Sequence, residues 1–101
     1  MPTLYLIEQD ARVNLEGERL LVTAGEQQAI SVPLGKLDDV LVYGAINLST
    51  QVLKKLLDRG IEVSFLTIYG RYHGRLVGPV APHAALRRQQ YQRAEQSAWV
   101  L

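Results

Sequence analysis

Turn-forming residues punctuate the first third of this chain at intervals too short for helices of ordinary length. Gln9-Asp10, Glu16-Gly17-Glu18, Ala24-Gly25-Glu26 and Pro33 mark the breaks. Glycine accepts the positive φ of tight hairpin turns, and proline cannot donate a ladder hydrogen bond. The pieces between them, Thr3–Glu8, Ala11–Leu15, Arg19–Thr23 and Ala29–Val32, are rich in residues that favour strands. Ala11–Leu15 also alternates apolar and polar with the period of a half-buried strand. This spacing predicts a β-meander of four strands.

Beyond Pro33, Leu34–Asp39 reads as a short connection, and Val40–Tyr43 is a continuous apolar run expected to be a strand buried on both faces. One clear helix follows. Ser49 or Thr50 can cap its start, and Val52, Leu53, Leu56 and Leu57 fall on one side. Lys54, Lys55, Asp58 and Arg59 occupy the other side, and Gly60 is a natural terminator. Ile61–Thr67 is the next strand, and the helix is expected to pack on the sheet.

The segment Gly70-Arg71-Tyr72-His73-Gly74-Arg75-Leu76-Val77-Gly78-Pro79 is richer in glycine and arginine than a plain strand requires. In an extended chain Arg71, His73 and Arg75 share one side, with Tyr72 and Leu76 on or near the other, depending on where Gly74 kinks the strand. Such a row can hold a phosphate backbone, with Tyr72 able to stack. A tight hairpin whose arginines guard a sheet edge accounts for the same residues.

Charge distribution favours an anionic partner. Residues 1–62 carry six Lys/Arg against nine Asp/Glu, whereas residues 63–101 carry Arg71, Arg75, Arg87, Arg88 and Arg93 against Glu95 alone. All five cations are arginine, whose planar fork suits phosphate, although a solvated basic surface would look the same in sequence. Pro79–Pro82 reads as a linker, and Ala84–Glu95 as a second helix with a sparse apolar stripe, its chain cut rather than ended at Leu101.

Several chemistries have no support. The chain has no cysteine, which excludes disulfides and thiol catalysis and fits a reducing cytoplasm. His73 and His83 are its only histidines, too few for a histidine-rich metal site, and the acids fall mostly in turns. No nucleophile elbow and no phosphate-loop GK[ST] element occurs. No apolar run reaches membrane-spanning length, so no membrane segment or signal peptide is expected. No catalytic or metal-binding residue is assigned.

The order of motifs resembles the N-terminal β-domain of the CRISPR-associated spacer integrases. The matching pieces are TLYLIEQ (3–9), LEGERLLV (15–22), VPLGKLDDVLVYGAINLSTQVLKKLLDRGIEVSFL (32–66), GRYHGRLVGP (70–79) and LRRQQY (86–91). Together they run almost the whole chain. The resemblance implies a mainly β, α+β domain over residues 1–78, with two packed sheets and one helix. A linker at 79–82 and the first helix of an all-helical catalytic domain over 83–101 would follow.

That catalytic domain is implied to bind a divalent metal, Mg or Mn, through residues beyond Leu101, so no cofactor belongs to this piece. The reaction implied is metal-dependent cleavage of DNA and insertion of new spacers into a CRISPR repeat array. Implied partners are a prespacer duplex, a second copy as homodimer and the small second protein of the integration complex. Some members carry a stacking aromatic in the first β-turn, where this chain has Gln9-Asp10; Tyr5 and Tyr72 are the substitutes at hand. From charge and position, the nucleic-acid-binding candidates are Arg71, Tyr72, Arg75, Arg87 and Arg88.

Overall fold

The computed structural model describes residues 2–26, 28–79 and 98–101. Among the described residues, nine strands and one α-helix run in the order β1 (Thr3–Leu6), β2 (Arg12–Glu16), β3 (Arg19–Ala24), β4 (Gln28–Pro33), β5 (Asp39–Tyr43), β6 (Asn47–Leu48), α1 (Thr50–Asp58), β7 (Glu62–Leu66), β8 (Tyr72–Leu76) and β9 (Ala98–Val100), with a 3-10 turn at Leu34–Lys36 between β4 and β5. They form two packed sheets, one ordered β8-β7-β5-β1-β9 and the other β4-β3-β2-β6. The mainly β, two-sheet architecture expected from sequence is the one observed.

Only part of the expected meander exists. Strands β2, β3 and β4 pair antiparallel in sequence order, but β1 joins the other sheet and lies parallel to β5. The cause is local. At Gln9-Asp10 the chain crosses between sheets instead of turning back, and Asp10 takes a φ of 66° with its N–H bonded to the Ala45 carbonyl at 2.7 Å. A second crossing, from β5 to β6, runs beside the first. The two-residue β6 then pairs parallel to β2.

The Gln9 side chain ties the crossings together. Its Nε2 donates to the carbonyls of Ile7 (2.9 Å) and Tyr43 (2.8 Å), and its Oε1 accepts from the Ala45 N–H at 2.8 Å. Gly44 sits against this amide with a φ of 77°, and a Cβ there would collide with Gln9 Oε1 and Ile68 Cγ2.

The core lies between the sheets. Leu4, Leu6, Val40, Val42 and Val63 project from one, and Val13, Leu20, Val22 and Val32 from the other, all fully or almost fully buried. Val52 and Leu56 of α1 complete it. Strand β5 was expected to be buried on both faces, yet Leu41 and Tyr43 are only half-buried. Their face is the one turned away from the second sheet.

Helix α1 starts and stops where its residues dictate. Ser49, not Thr50, is the cap: its Oγ accepts from the Val52 N–H at 3.2 Å. At the far end the Gly60 N–H bonds the Leu57 carbonyl and the Ile61 N–H bonds the Leu56 carbonyl, the paired bonds of a Schellman ending. Glu18, in the β2–β3 turn, reaches Arg59 Nη2 at 2.8 Å and Lys55 Nζ at 3.2 Å.

The chain's last described residues correct the reading of a helical segment through residue 101. Ala98–Val100 form β9, parallel to β1, and the Leu101 carbonyl accepts from the N–H groups of Ile7 and Glu8. Without Leu101, those two N–H groups just beyond the end of β1 would lose this backbone partner. The helix expected over Ala84–Glu95 lies outside the described residues, as do residues 80–82 of the expected linker, together with Arg87 and Arg88.

Two outcomes test this account. Gly44→Ala should lower stability by roughly 2 kcal/mol or more, because it adds a strained φ to a steric clash, read as a lower urea midpoint. The hydrogen bonds from Arg59 first and Lys55 second hold the Glu18 carboxyl below its ordinary pKa. A lowered folded value means that this contribution is present above the unfolded pKa and is lost as pH falls through the lowered one. Comparing Glu18→Gln with the unaltered chain in urea melts, the small gap seen at neutral pH should close in acid.

Candidate nucleic-acid interface

The β7–β8 hairpin carries Arg71, Tyr72 and Arg75, whereas Tyr5, the other stacking substitute, is half-buried on β1 opposite Leu41. Its loop, residues 67–71, is organised by Thr67. The Thr67 N–H bonds the Arg71 carbonyl at 2.8 Å, and the Gly70 N–H bonds the Thr67 carbonyl at 2.9 Å. Thr67 Oγ1 accepts from the N–H groups of Tyr69 (3.2 Å) and Arg71 (3.0 Å). The loop backbone therefore holds itself, and Gly70 takes the required positive φ of 88°.

Strand register then decides what each side chain faces. Leu76 stands opposite Val63, Arg75 opposite Ser64 and Gly74 opposite Phe65, but Tyr72 stands opposite Leu66. His73 is the extra residue of a β-bulge. Residues paired across a sheet share a face. Leu76 and Gly74 thus lie on the core side with Val63 and Phe65, while Arg75 lies on the outer side with Ser64. The bulge carries Tyr72 to that outer side as well.

The expected division, Arg71, His73 and Arg75 against Tyr72 and Leu76, is corrected accordingly. An uninterrupted strand would have kept Tyr72 with Leu76; the inserted residue breaks the alternation. Tyr72 and Arg75 share the outer face of the five-stranded sheet at its edge, where Tyr72 is 57% exposed.

The two arginines differ electrostatically. Arg75 Nη1 lies 3.3 Å from Glu62 Oε1, and Glu62 also sits on the outer face of β7. Among the described residues no ion pair forms at Arg71, which is exposed. An exposed ion pair contributes at most about 1 kcal/mol, so Glu62 weakens Arg75 as an anion contact without abolishing it. The Glu62 partnership spans 13 residues across a bulged hairpin, and no local pattern signals it. Tyr69, at the loop tip, is 91% exposed. Its signal in sequence is an aromatic directly before a turn glycine.

The arrangement can hold an anion and offer an aromatic surface. Among the described residues no three His, Asp or Glu side chains come together as a metal-ligand set, so no metal-assisted step is assigned to them. Also among the described residues, no helix is long and apolar enough to cross a membrane.

Comparison with known proteins agrees with the fold. The family model described as CRISPR associated protein Cas1 matches residues 4–101. A curated relative, the CRISPR-associated endonuclease Cas1 1 of Thermodesulfovibrio yellowstonii, is 34% identical over 94 residues, covering 93% of this chain and 30% of the relative. Among solved structures, a partial Cas6-RT-Cas1–Cas2 complex superposes with a TM-score of 0.72 at 21% identity, over 80% of this chain and 24% of that one. A TtCas1–DNA complex gives 0.67 at 18% identity, over 89% and 34%. At such identities the structures establish the fold alone, and the chain spans under a third of that curated relative's length. With a family model spanning nearly all of its residues and a relative above 30% identity, the chain belongs to the Cas1 family of CRISPR-associated proteins.

Proposed function

We propose that this chain is the β-rich N-terminal part of a DNA endonuclease and integrase that inserts spacers into CRISPR arrays, and that it holds DNA and pairs with a second copy. The observation that carries the DNA role is the self-braced β7–β8 hairpin, which presents Arg71, without an ion-pair partner among the described residues, beside exposed Tyr72. Arg75 contributes less because Glu62 shares it. Arg87 and Arg88 extend the same basic run in sequence, and we assign them to DNA on charge alone.

The complexes support the reading by their composition: one solved relative is bound to DNA, and another is assembled with Cas2. We assign the Mg- or Mn-dependent phosphodiester chemistry to the part of the relatives that this chain does not span, joined through a linker at 79–82. This chain alone is expected not to cut DNA. Prespacer duplex, CRISPR repeat and the small Cas2-type protein are the proposed partners, and the cytoplasm the proposed location. A second reading, a pairing scaffold with no DNA affinity of its own, is favoured by the Glu62 contact that occupies Arg75.

Fluorescence anisotropy of a labelled splayed duplex over a salt series separates the two. The holding role predicts binding that falls steeply with salt, and Arg71→Ala should flatten the slope by roughly one unit, with a smaller effect from Arg75→Ala. Absence of binding even at low salt would leave the scaffold reading, and the arginine variants should then alter solution mass instead.

A further inference from the structure

Tyr69 is the most exposed large apolar side chain among the described residues, at 91%. One exposed ring is unremarkable on a protein surface by itself. Its setting is less ordinary. The N–H groups of Thr67, Tyr69, Gly70 and Arg71 are all bonded within the loop, so the ring stands on a braced tip rather than a loose one. The preceding side chain, Ile68, lies close to Gly44 and Gln9 at the sheet crossings, which anchors the tip from behind. Arg71, two residues on, makes no ion pair among the described residues.

We infer that Tyr69 is a base-stacking residue, taking an unpaired or terminal nucleobase on its ring while Arg71 meets the adjoining phosphate. The inference rests on the DNA-holding reading and adds to it a residue and a ligand class. An aromatic face beside a cation matches a nucleotide, which carries a flat base and an anionic phosphate. A protein pocket would favour a tip ringed by apolar groups. Here the loop neighbours are Thr67, Gly70 and Arg71, and Ile68, whose Cγ2 lies against Gly44 while the residue stays 53% exposed, is the one apolar neighbour within the loop. The Thr67 bonds fix the backbone that carries the ring, which lowers the cost of ordering the tip when a base is bound.

The test compares the unaltered chain with Tyr69→Ala, Tyr69→Phe and Arg71→Ala, using a labelled splayed duplex that carries 2-aminopurine at its terminal unpaired base. Tyr69→Ala should weaken binding roughly five- to thirtyfold. Its salt slope should stay unchanged, because no charge is removed, whereas Arg71→Ala flattens the slope. Tyr69→Phe should bind as the unaltered chain does. Emission from 2-aminopurine should drop on binding to the chains with an aromatic at 69 and not with Tyr69→Ala. Equal affinity and equal quenching for Tyr69→Ala, with Arg71→Ala still weakened, overturns stacking and leaves DNA holding intact. Loss of self-association in Tyr69→Ala with DNA binding unchanged makes the ring a protein anchor and also overturns it. Failure of the unaltered chain to bind at low salt removes both readings.

Discussion

Two strands of one sheet leave it side by side and enter the other sheet side by side, and most of the architecture depends on that double crossing. Strands β1 and β5 are parallel neighbours in the five-stranded sheet; their continuations β2 and β6 are parallel neighbours in the four-stranded one. Because both chains change sheets at the same place, the inner faces are brought into opposition. Leu4, Leu6, Val40 and Val42 then meet Val13, Leu20 and Val22 in one dry layer. The Gln9 amide holds the crossings in register through three hydrogen bonds. A side chain on the surface thereby sets the geometry of a core it does not enter.

The crossing also decides where the β7–β8 hairpin sits. With β1 and β5 occupying the middle of the sheet, β7 adds beside β5 and β8 falls at the edge. Ile68, at the hairpin loop, packs close to the same Gly44–Gln9 cluster, so the tip is referenced to the crossing rather than left as a free projection. Helix α1 touches both sheets and is pinned to the β2–β3 turn by Glu18. The scaffold behind the hairpin is thus braced from two directions.

Local chemistry was readable from residues, while pairing was not. Gly17, Gly25 and Pro33 bounded β2, β3 and β4, and Ser49 and Gly60 bounded α1, because each acts through its own backbone. The partner of β1 lies 36 residues away at β5, and nothing near Gln9-Asp10 distinguishes a crossing from a hairpin turn except the amide bonds that only the folded chain makes. The same limit hid β6, the Arg75–Glu62 contact and β9. Of the candidate residues, Arg71, Tyr72 and Arg75 were read from sequence as one segment, and the structure has them on one hairpin. Which of them face outward depended on a single inserted residue, and Arg87 and Arg88 fall outside the described part of the chain.

That inserted residue, His73, makes the exposed face of β8 depend on length as well as identity. Everything on the loop side of the bulge is out of phase with everything beyond it. An edit that shortened this strand by one position would return it to plain alternation and move Tyr72 through the plane of the sheet, with no aromatic or cation added or removed. A hairpin built this way can exchange the chemistry it displays through a one-codon insertion or deletion. Sites compared across relatives by aligned letters alone would then be matched to the wrong side of the molecule.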